Sequence, residues 1–226
     1  MRAPISVVIP TLNCENTLPD CLNSLMEGLE FGLIRELIVS DGGSSDTTGA
    51  VAQAWGARVV HGAASRGGQL RRGCAVAKGD WLLVLHADTQ LEPGWPKAVQ
   101  AHIRQSDRPA WFYLRFDQAG IAAWLVAQWA NIRSGFWHLP YGDQGLLIPR
   151  RTYLAIGGYA DVPLMEDVAL VRKLRGSLIG LRVTAVTSAA KYRSQGWLRR
   201  GARNLWTLMG YLAGRDVASL EREYRR

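Results

Sequence analysis

Four acidic residues of this chain stand where a carboxylate could take part in chemistry. Asp88 closes the most hydrophobic run of the sequence, Asp80–Leu85 followed by His86-Ala87-Asp88. A carboxylate there is costly to desolvate unless it meets a cation or hydrogen-bond donors. Mg2+ or Mn2+ is held by one or two carboxylates together with substrate phosphates, so Asp88 reads as a metal ligand or as the cap of the turn Thr89–Pro93. His86 lies on the same side of an extended chain and either joins the site or bonds a neighbour. Asp41 follows the strand-like run Glu36–Ser40 and can accept hydrogen bonds from a base or a ribose. The Gly42-Gly43 pair after it permits close backbone approach, and Ser44, Ser45 or Asp46 can cap the next helix.

The other two acids, Glu166 and Asp167, open a helix after Pro163. Advancing ~100° per residue, Leu170, Val171 and Leu174 fall within about 60° of the direction of Asp167. This projection puts Asp167 at the centre of the inward arc and makes it a general-base candidate, with a structural N-cap as the alternative. Glu166 falls on the flank with Lys173, where a solvated salt bridge is expected. Adjacent helical residues do not face one point, so the pair is not expected to share a proton. A third feature is the basic, glycine-rich helix entry Arg66–Gly73, which includes Gln69. Backbone N–H groups at a helix start, with arginine, suit a diphosphate. It lacks the Lys-Ser/Thr pair of a P-loop.

These residues need elements to hold them. Ile5–Pro10 reads as a buried strand, followed by a helix with Thr17 and Asp20 at capping-box spacing and Leu18, Leu22, Leu25 and Leu29 at helical intervals. Glu36–Ser40, Arg58–His61 and Asp80–Leu85 read as further strands, with a helix over Gly67–Lys78. The alternation argues for an α/β fold with a doubly wound, mostly parallel sheet. In such sheets ligands bind outside the carboxyl ends of the strands, where Thr11–Asn13, Asp41–Asp46 and His86–Asp88 all fall.

The second half has a strand at Ala110–Asp117, then Ala119–Arg133, apolar nearly all round and hence a buried or interface helix. The loop Tyr141-Gly142-Asp143-Gln144-Gly145 precedes a strand at Leu146–Pro149. Residues 1–194 read as one domain and 195–226 as a helical appendage packed on it. In that appendage Trp197, Leu198, Leu205, Trp206, Leu208, Met209 and Leu212 share one half of the wheel, and Arg199, Arg200 and Arg203 the other. Such a helix either packs its apolar half on the sheet with the arginines in water, or lies on an anionic membrane or binds phosphate.

Bulk composition narrows the class. The 226 residues are 48 % hydrophobic and 20 % charged, as in a globular protein. The start has no signal-peptide pattern, and no apolar stretch approaches the ~20 residues needed to span a bilayer. Three cysteines without CxxC spacing read as reduced thiols of a cytoplasmic protein. The net charge of +8 implies an anionic partner, but no nucleic-acid-binding signature accompanies it. Ordinary core packing is the expected role for most of the nine tryptophans.

Four stretches taken in order resemble the family 2 glycosyltransferases with the GT-A fold. They are Ser-Val-Val-Ile-Pro-Thr-Leu-Asn at 6–13, Ile-Val-Ser-Asp-Gly-Gly-Ser-Ser-Asp at 38–46, Gly-Asp-Trp-Leu-Leu-Val-Leu-His-Ala-Asp at 79–88, and Gly-Gly-Tyr at 157–159 followed by Met-Glu-Asp-Val-Ala-Leu at 165–170. Leu-His-Ala-Asp-Thr, Pro-Tyr-Gly-Asp-Gln-Gly and Pro-Leu-Met-Glu-Asp further resemble a bacterial subgroup, some members of which are linked to arsenosugar biosynthesis.

The resemblance implies a nucleotide-diphosphate sugar donor, a divalent cation (Mg2+ or Mn2+) and an acceptor hydroxyl that the sequence does not identify. By it, Pro10, Thr11 and Asp41 contact the nucleoside, Arg66 and Gln69 the donor region, and Asp88 the metal and diphosphate. Asp167, beside Glu166, is the base of a single inverting displacement. Tyr141, Asp143 and Gln144 shape the sugar or acceptor pocket. The sequence departs from the family's Asp-x-Asp, which is here His86-Ala87-Asp88, and lacks the Gln-x-x-Arg-Trp of processive members. The alternative, a nucleotidyltransferase, usually carries a basic Gly-rich N-terminal loop. Residues 9–16 hold neither Gly nor Lys.

Overall fold

The computed structural model describes residues 3–174 and 176–225. The first half alternates β1 (Ile5–Thr11), α1 (Leu18–Ser24), α2 (Met26–Glu30), β2 (Ile34–Asp41), α3 (Thr48–Ala54), β3 (Arg58–His61), α4 (Arg66–Ala75) and β4 (Trp81–Val84). Then come β5 (Thr89–Leu91), α5 (Trp95–Gln105), β6 (Ala110–Phe116), α6 (Ile121–Trp137), β7 (Leu146–Pro149), α7 (Arg150–Ala155), α8 (Glu166–Lys173) and β8 (Ile179–Thr187). The chain closes with α9 (Ala190–Gln195), α10 (Trp197–Leu212) and α11 (Val217–Arg225). Among the described residues the strands form one eight-stranded sheet of order β3-β2-β1-β4-β7-β6-β8-β5.

β1, β2, β3 and β4 are parallel to one another, whereas β7 runs antiparallel to β4 and β6, and β5 antiparallel to β8. β6 and β8 are again parallel. Successive side chains of a strand point to opposite faces, and here both faces are covered. Ile5, Val7 and Ile9 of β1 pack with Leu18, Leu22 and Trp95, while Val8 between them packs with Leu70, Cys74 and Val168 on the other face. The unbroken apolar run of a doubly wound strand follows from this double burial. The parallel strands end together, at Thr11, Asp41 and the approach to Asp88, so the sheet delivers three loops to one edge.

The capping box at Thr17 and the inward place of Leu29 are corrected. Thr17 precedes α1, but its side chain makes no cap bond and its Oγ1 instead donates to the Cys14 carbonyl at 3.5 Å, so no capping box forms. Leu29 is exposed, because α1 breaks at Leu25 and α2 starts a new axis. Asp46 rather than either serine accepts from the Thr48 amide at the head of α3 (3.0 Å). Cys21 and Cys74 are buried free thiols, and Cys14 is half-buried.

The largest reversals concern the apolar helices. Trp81, Trp95 and Trp111 are core residues, but Trp55, Trp124, Trp129, Trp137 and Trp206 are exposed, so core packing does not account for most of the tryptophans. In α10 the inward face is mixed: Arg200 and Leu208 are buried and Arg203 half-buried, while Leu198, Arg199, Leu205, Trp206 and Met209 face out. The wheel therefore gave neither the direction nor the boundary of the buried face. The inner side is set by the polar groups it meets, since Arg200 donates to Gln195 Oε1 (3.1 Å) and to the Tyr224 hydroxyl.

Candidate active site

Two adjoining cavities open at the carboxyl ends of the parallel strands. One is lined by Pro10, Thr11, Gln69 and Ser65, and the other by Tyr141, Asp143, Glu166, Asp167 and Arg200. Arg66, His86, Asp88, Lys191 and Tyr224 line both and form the wall between them. Asp88 and Asp167 therefore face one enclosed space, although 79 positions separate them in sequence.

The floor of the first cavity is a hydrogen-bonded knot. Asp41 is buried and does not line either cavity. Its carboxylate accepts from the Gly43 and Ser44 amides at 2.9 Å each, from Ser44 Oγ at 2.5 Å and from Thr11 Oγ1 at 3.0 Å. Burial pushes its carboxyl up, but the bonds from Ser44, Thr11 and Gly43 outweigh it and hold it below the usual range. Asp41 thus positions Thr11. Gln69 binds the strand ends from above, its Nε2 donating to the Thr11 carbonyl (2.7 Å) and the Ser40 carbonyl (3.2 Å).

The glycine-rich entry to α4 is not an open anion nest. The Gly67 amide donates to the Val162 carbonyl (3.0 Å) and the Gly68 amide to Ser65 Oγ (3.3 Å). A Cβ on Gly67 would come within 2.1 Å of the Ala160 carbonyl oxygen, so the glycine admits the 160–162 loop instead of a phosphate. What remains for an anionic ligand is the Arg66 side chain.

Arg66 reaches toward α8. Its Nε lies 3.7 Å from Glu166 Oε1, and Glu166 is only 1 % exposed with no hydrogen bond on either oxygen. Burial and the nearby Asp167 push Glu166 up to about 8 in spite of Arg66. The expected solvated pair with Lys173 does not form, because Lys173 donates to the Ile156 carbonyl at 3.0 Å. A helical projection sees only its own element, and α4 packs across the flank of α8. Asp167 is half-buried and faces the same cavity as Glu166, so the two carboxylates do interact. Asp167 Oδ2 accepts from the Gly142 amide at 2.8 Å and Oδ1 from the Val168 amide at 2.7 Å. Met165, which precedes α8, is a buried non-glycine residue at φ 63°, a conformation that swings the first turn of the helix into the cavity.

The 141–145 loop supplies the opposite wall. The Arg133 guanidinium lies 3.4 Å over the Tyr141 ring. Asp143 has one buried oxygen without a hydrogen bond, and burial, with Asp167 and Asp88 nearby, raises it to about 6 against the pull of Arg133. Gln144 is fully buried and does not line either cavity. Its Oε1 accepts from Ser134 Oγ at 2.5 Å, which ties the loop to α6. Gly142 is tight against His86, for an added Cβ would lie 2.3 Å from its Nε2. Burial, with Arg66 and Lys191, holds His86 well below its ordinary range, so the ring is neutral.

The carboxylate of Asp88 takes no hydrogen bond from the Thr89–Pro93 turn. Among the described residues no group of three or more His, Cys, Asp or Glu side chains is placed to hold a metal. A divalent ion at Asp88, with neutral His86 beside it, would therefore draw most of its ligands from a diphosphate. That donor set fits Mg2+ or Mn2+ held mainly by substrate. Sequence reading missed Lys191 of α9 and Tyr224 of α11, and marked Arg200 of α10 only as part of a basic helix; all three line the cavity. The run Val168–Arg215 holds no acidic residue, a bias that marks the arginines, but nothing local marked Tyr224.

Known proteins share this fold. The family model described as Glycosyl transferase family 2 matches residues 6–139. A PGL/p-HBAD biosynthesis glycosyltransferase of Mycobacterium bovis (strain BCG / Pasteur 1173P2) is 39 % identical over 101 residues, covering 40 % of this chain and 38 % of that protein. The chain thus matches well under half the length of that curated relative. The crystal structure of glucosyl-3-phosphoglycerate synthase from Mycobacterium tuberculosis with Mn2+, uridine diphosphate and glucosyl-3-phosphoglycerate aligns at TM-score 0.64 and 21 % identity, covering 94 % of this chain and 81 % of that one. Mannosyl-3-phosphoglycerate synthase from Rubrobacter xylanophilus aligns at TM-score 0.62 and 20 % identity over 94 % of this chain and 76 % of that one. With a family match over more than half of its length and the same GT-A fold around an Asp88–Asp167 cavity, the chain belongs to glycosyl transferase family 2.

Proposed function

We propose that this glycosyltransferase moves a sugar from a nucleoside diphosphate to an acceptor hydroxyl in a single, non-processive, inverting displacement. The observation that carries it is the shared cavity: Asp88 and Arg66 stand where the two chambers meet, with Asp167 on the far wall of one. The nucleoside lies over Pro10 and Thr11, and the diphosphate lies against Arg66. Asp88 would hold a divalent cation, whose contribution when bound is to offset charge on the leaving diphosphate.

Asp167 takes the acceptor proton as the hydroxyl oxygen bonds to the anomeric carbon, and the bond to the diphosphate breaks with its electron pair on the leaving oxygen. Glu166 keeps its proton to about pH 8, so at neutral pH it does not compete as the base. It walls one side of the Arg66 guanidinium, with Oε1 3.7 Å from Arg66 Nε. Tyr141 and Asp143 line the sugar or acceptor side, with Gln144 buttressing them.

The Mn2+ and uridine diphosphate bound by the mycobacterial synthase make a UDP-sugar with Mn2+ the first donor to test. The buried, unpaired thiols support a cytoplasmic setting, and the reading includes peripheral contact of the C-terminal segment with a membrane. Thermal shift with a panel of nucleotide sugars, with and without Mn2+, tests the proposal, since a bound donor raises the melting temperature with its concentration. Absence of any stabilising donor overturns it.

A further inference from the structure

α6 carries its bulk on the wrong side for a core helix. Ala123, Ala127, Ala130 and Ser134 face the sheet, where small side chains let the helix lie close to β6. Ile121, Leu125, Trp129, Ile132 and Phe136 form the outer stripe, all exposed, with Ile121 at 80 % and Phe136 at 75 %. The one charged residue of α6, Arg133, is buried against Tyr141. At about 1.5 Å per residue the helix is about 25 Å long, so the apolar stripe is far longer than a chance exposed side chain.

α10 packs beside α6 and repeats the pattern. Leu198 (90 % exposed), Leu205, Trp206 (65 %) and Met209 face out, while Arg200 and Asn204 line the active-site cavity. A soluble surface rarely keeps so extended an apolar patch uncovered.

We propose that the outer faces of α6 and α10 together dock this protein on an anionic lipid bilayer. The charge around the face selects this occupant. Arg199, on the flank of the α10 stripe, and Arg193, on the preceding α9, are exposed. Arg182 is exposed in a groove that it shares with Trp124 and Gln128 of α6. The acid in that groove, Asp117, is engaged by the Ala189 amide at 2.8 Å. Neither Gln118–Gly142 nor Val168–Arg215 contains an acidic residue. An apolar face bearing tryptophan with a basic rim matches an interfacial helix pair. A two-fold copy of the chain would set this basic rim against an equally basic one, whereas anionic headgroups neutralise it.

The docking geometry deepens the proposed transfer and, for its bearing on the acceptor, rests on it. The same two helices that present the apolar face line or buttress the cavity on their inner sides through Arg133, Arg200 and Asn204. The cavity then lies about one helix diameter, ~10 Å, above the headgroups, within reach of a hydroxyl carried by a membrane amphiphile.

Flotation of the full chain with vesicles of phosphatidylcholine, with or without phosphatidylglycerol, tests the docking. Binding should be on the order of a hundredfold tighter to the anionic vesicles, the scale set by three basic side chains at a charged surface. Leu125→Ser with Ile132→Ser on α6, and Leu198→Ser with Trp206→Ser on α10, should each lower binding by about tenfold or more without lowering the melting temperature, because the replaced groups are exposed. Brominated acyl chains should quench the unaltered protein more than Trp206→Phe.

Unchanged vesicle binding in both double variants overturns the proposal. So does a concentration-dependent dimer, seen by sedimentation velocity, that the same substitutions dissociate. Donor-induced thermal stabilisation, measured on the same variants, should be retained. If no nucleotide sugar stabilises even the unaltered chain, the transferase reading falls while the vesicle result still decides the docking.

Discussion

The backbone N–H of Gly142 donates to Oδ2 of Asp167 at 2.8 Å, so a loop that follows α6 orients the carboxylate at the head of α8. Two segments distant in sequence thereby fix one oxygen and leave the carboxylate facing the cavity. Asparagine at 167 can keep the acceptor for the Gly142 amide but cannot take a proton. Asp167→Asn is expected to lower the transfer rate by about 10²–10⁴-fold, the range for general-base removal. Donor affinity by calorimetry should change little, and near-normal turnover would remove Asp167 from the base role.

Gly142 is confined from its other side. An added Cβ would lie 2.3 Å from His86 Nε2 and 2.6 Å from its Cε1, so Gly142→Ala must displace the imidazole or the loop. The expected result is a stability loss of about 1–3 kcal/mol, typical of overpacking, with a larger fractional loss in turnover. Urea unfolding beside steady-state kinetics distinguishes these, and wild-type turnover with unchanged stability would contradict the stated contact.

Asp88→Ala removes the carboxylate where the two chambers meet. Stabilisation of the protein by a nucleotide sugar should then lose its dependence on Mn2+, while any metal-independent part contributed by Arg66 persists. Thermal shift across a metal titration reads both. A metal response identical to that of the unaltered protein would place the ion elsewhere.

Glu166 and Asp143 give the protein a pH signature. Both are raised, Glu166 to about 8 and Asp143 to about 6, chiefly by burial. A folded state that holds protons more tightly than the unfolded chain is stabilised below the unfolded values and loses that stability as pH rises through the folded ones. The ligand-free melting temperature should therefore fall between about pH 5 and pH 8, by about 2–4 °C for each kcal/mol lost in a chain of this size. Glu166→Gln should flatten the upper part of that fall, above about pH 6, where Asp143 has already titrated. An equal slope in the variant would mean that Glu166 is ionised in the folded protein.

Much of the parallel half was legible because each element carried its own signal. The apolar run at Ile5–Pro10 marked a strand buried on both faces, and Asp41 and Asp88 marked the strand ends where the loops converge. The site was legible as a set of residues but not as a set of roles. Asp41 was expected at the nucleoside; its carboxylate also organises the turn beneath Thr11, through four hydrogen bonds from Thr11, Gly43 and Ser44. Gly67 was expected to open an anion site and instead admits a backbone from nearly a hundred positions away.

The sequence by itself determined the periodicity of each segment and the order of the strands along the chain, because these depend on neighbours a few residues apart. Only the tertiary structure decided which residues of α10 face inward, why Glu166 rather than Asp167 is the more deeply buried acid, and that Tyr224 lines the cavity. Direction and burial are set by what packs against an element. For α10 and Glu166 the partners, Tyr224 and Arg66, come from parts of the chain that no local pattern connects to them.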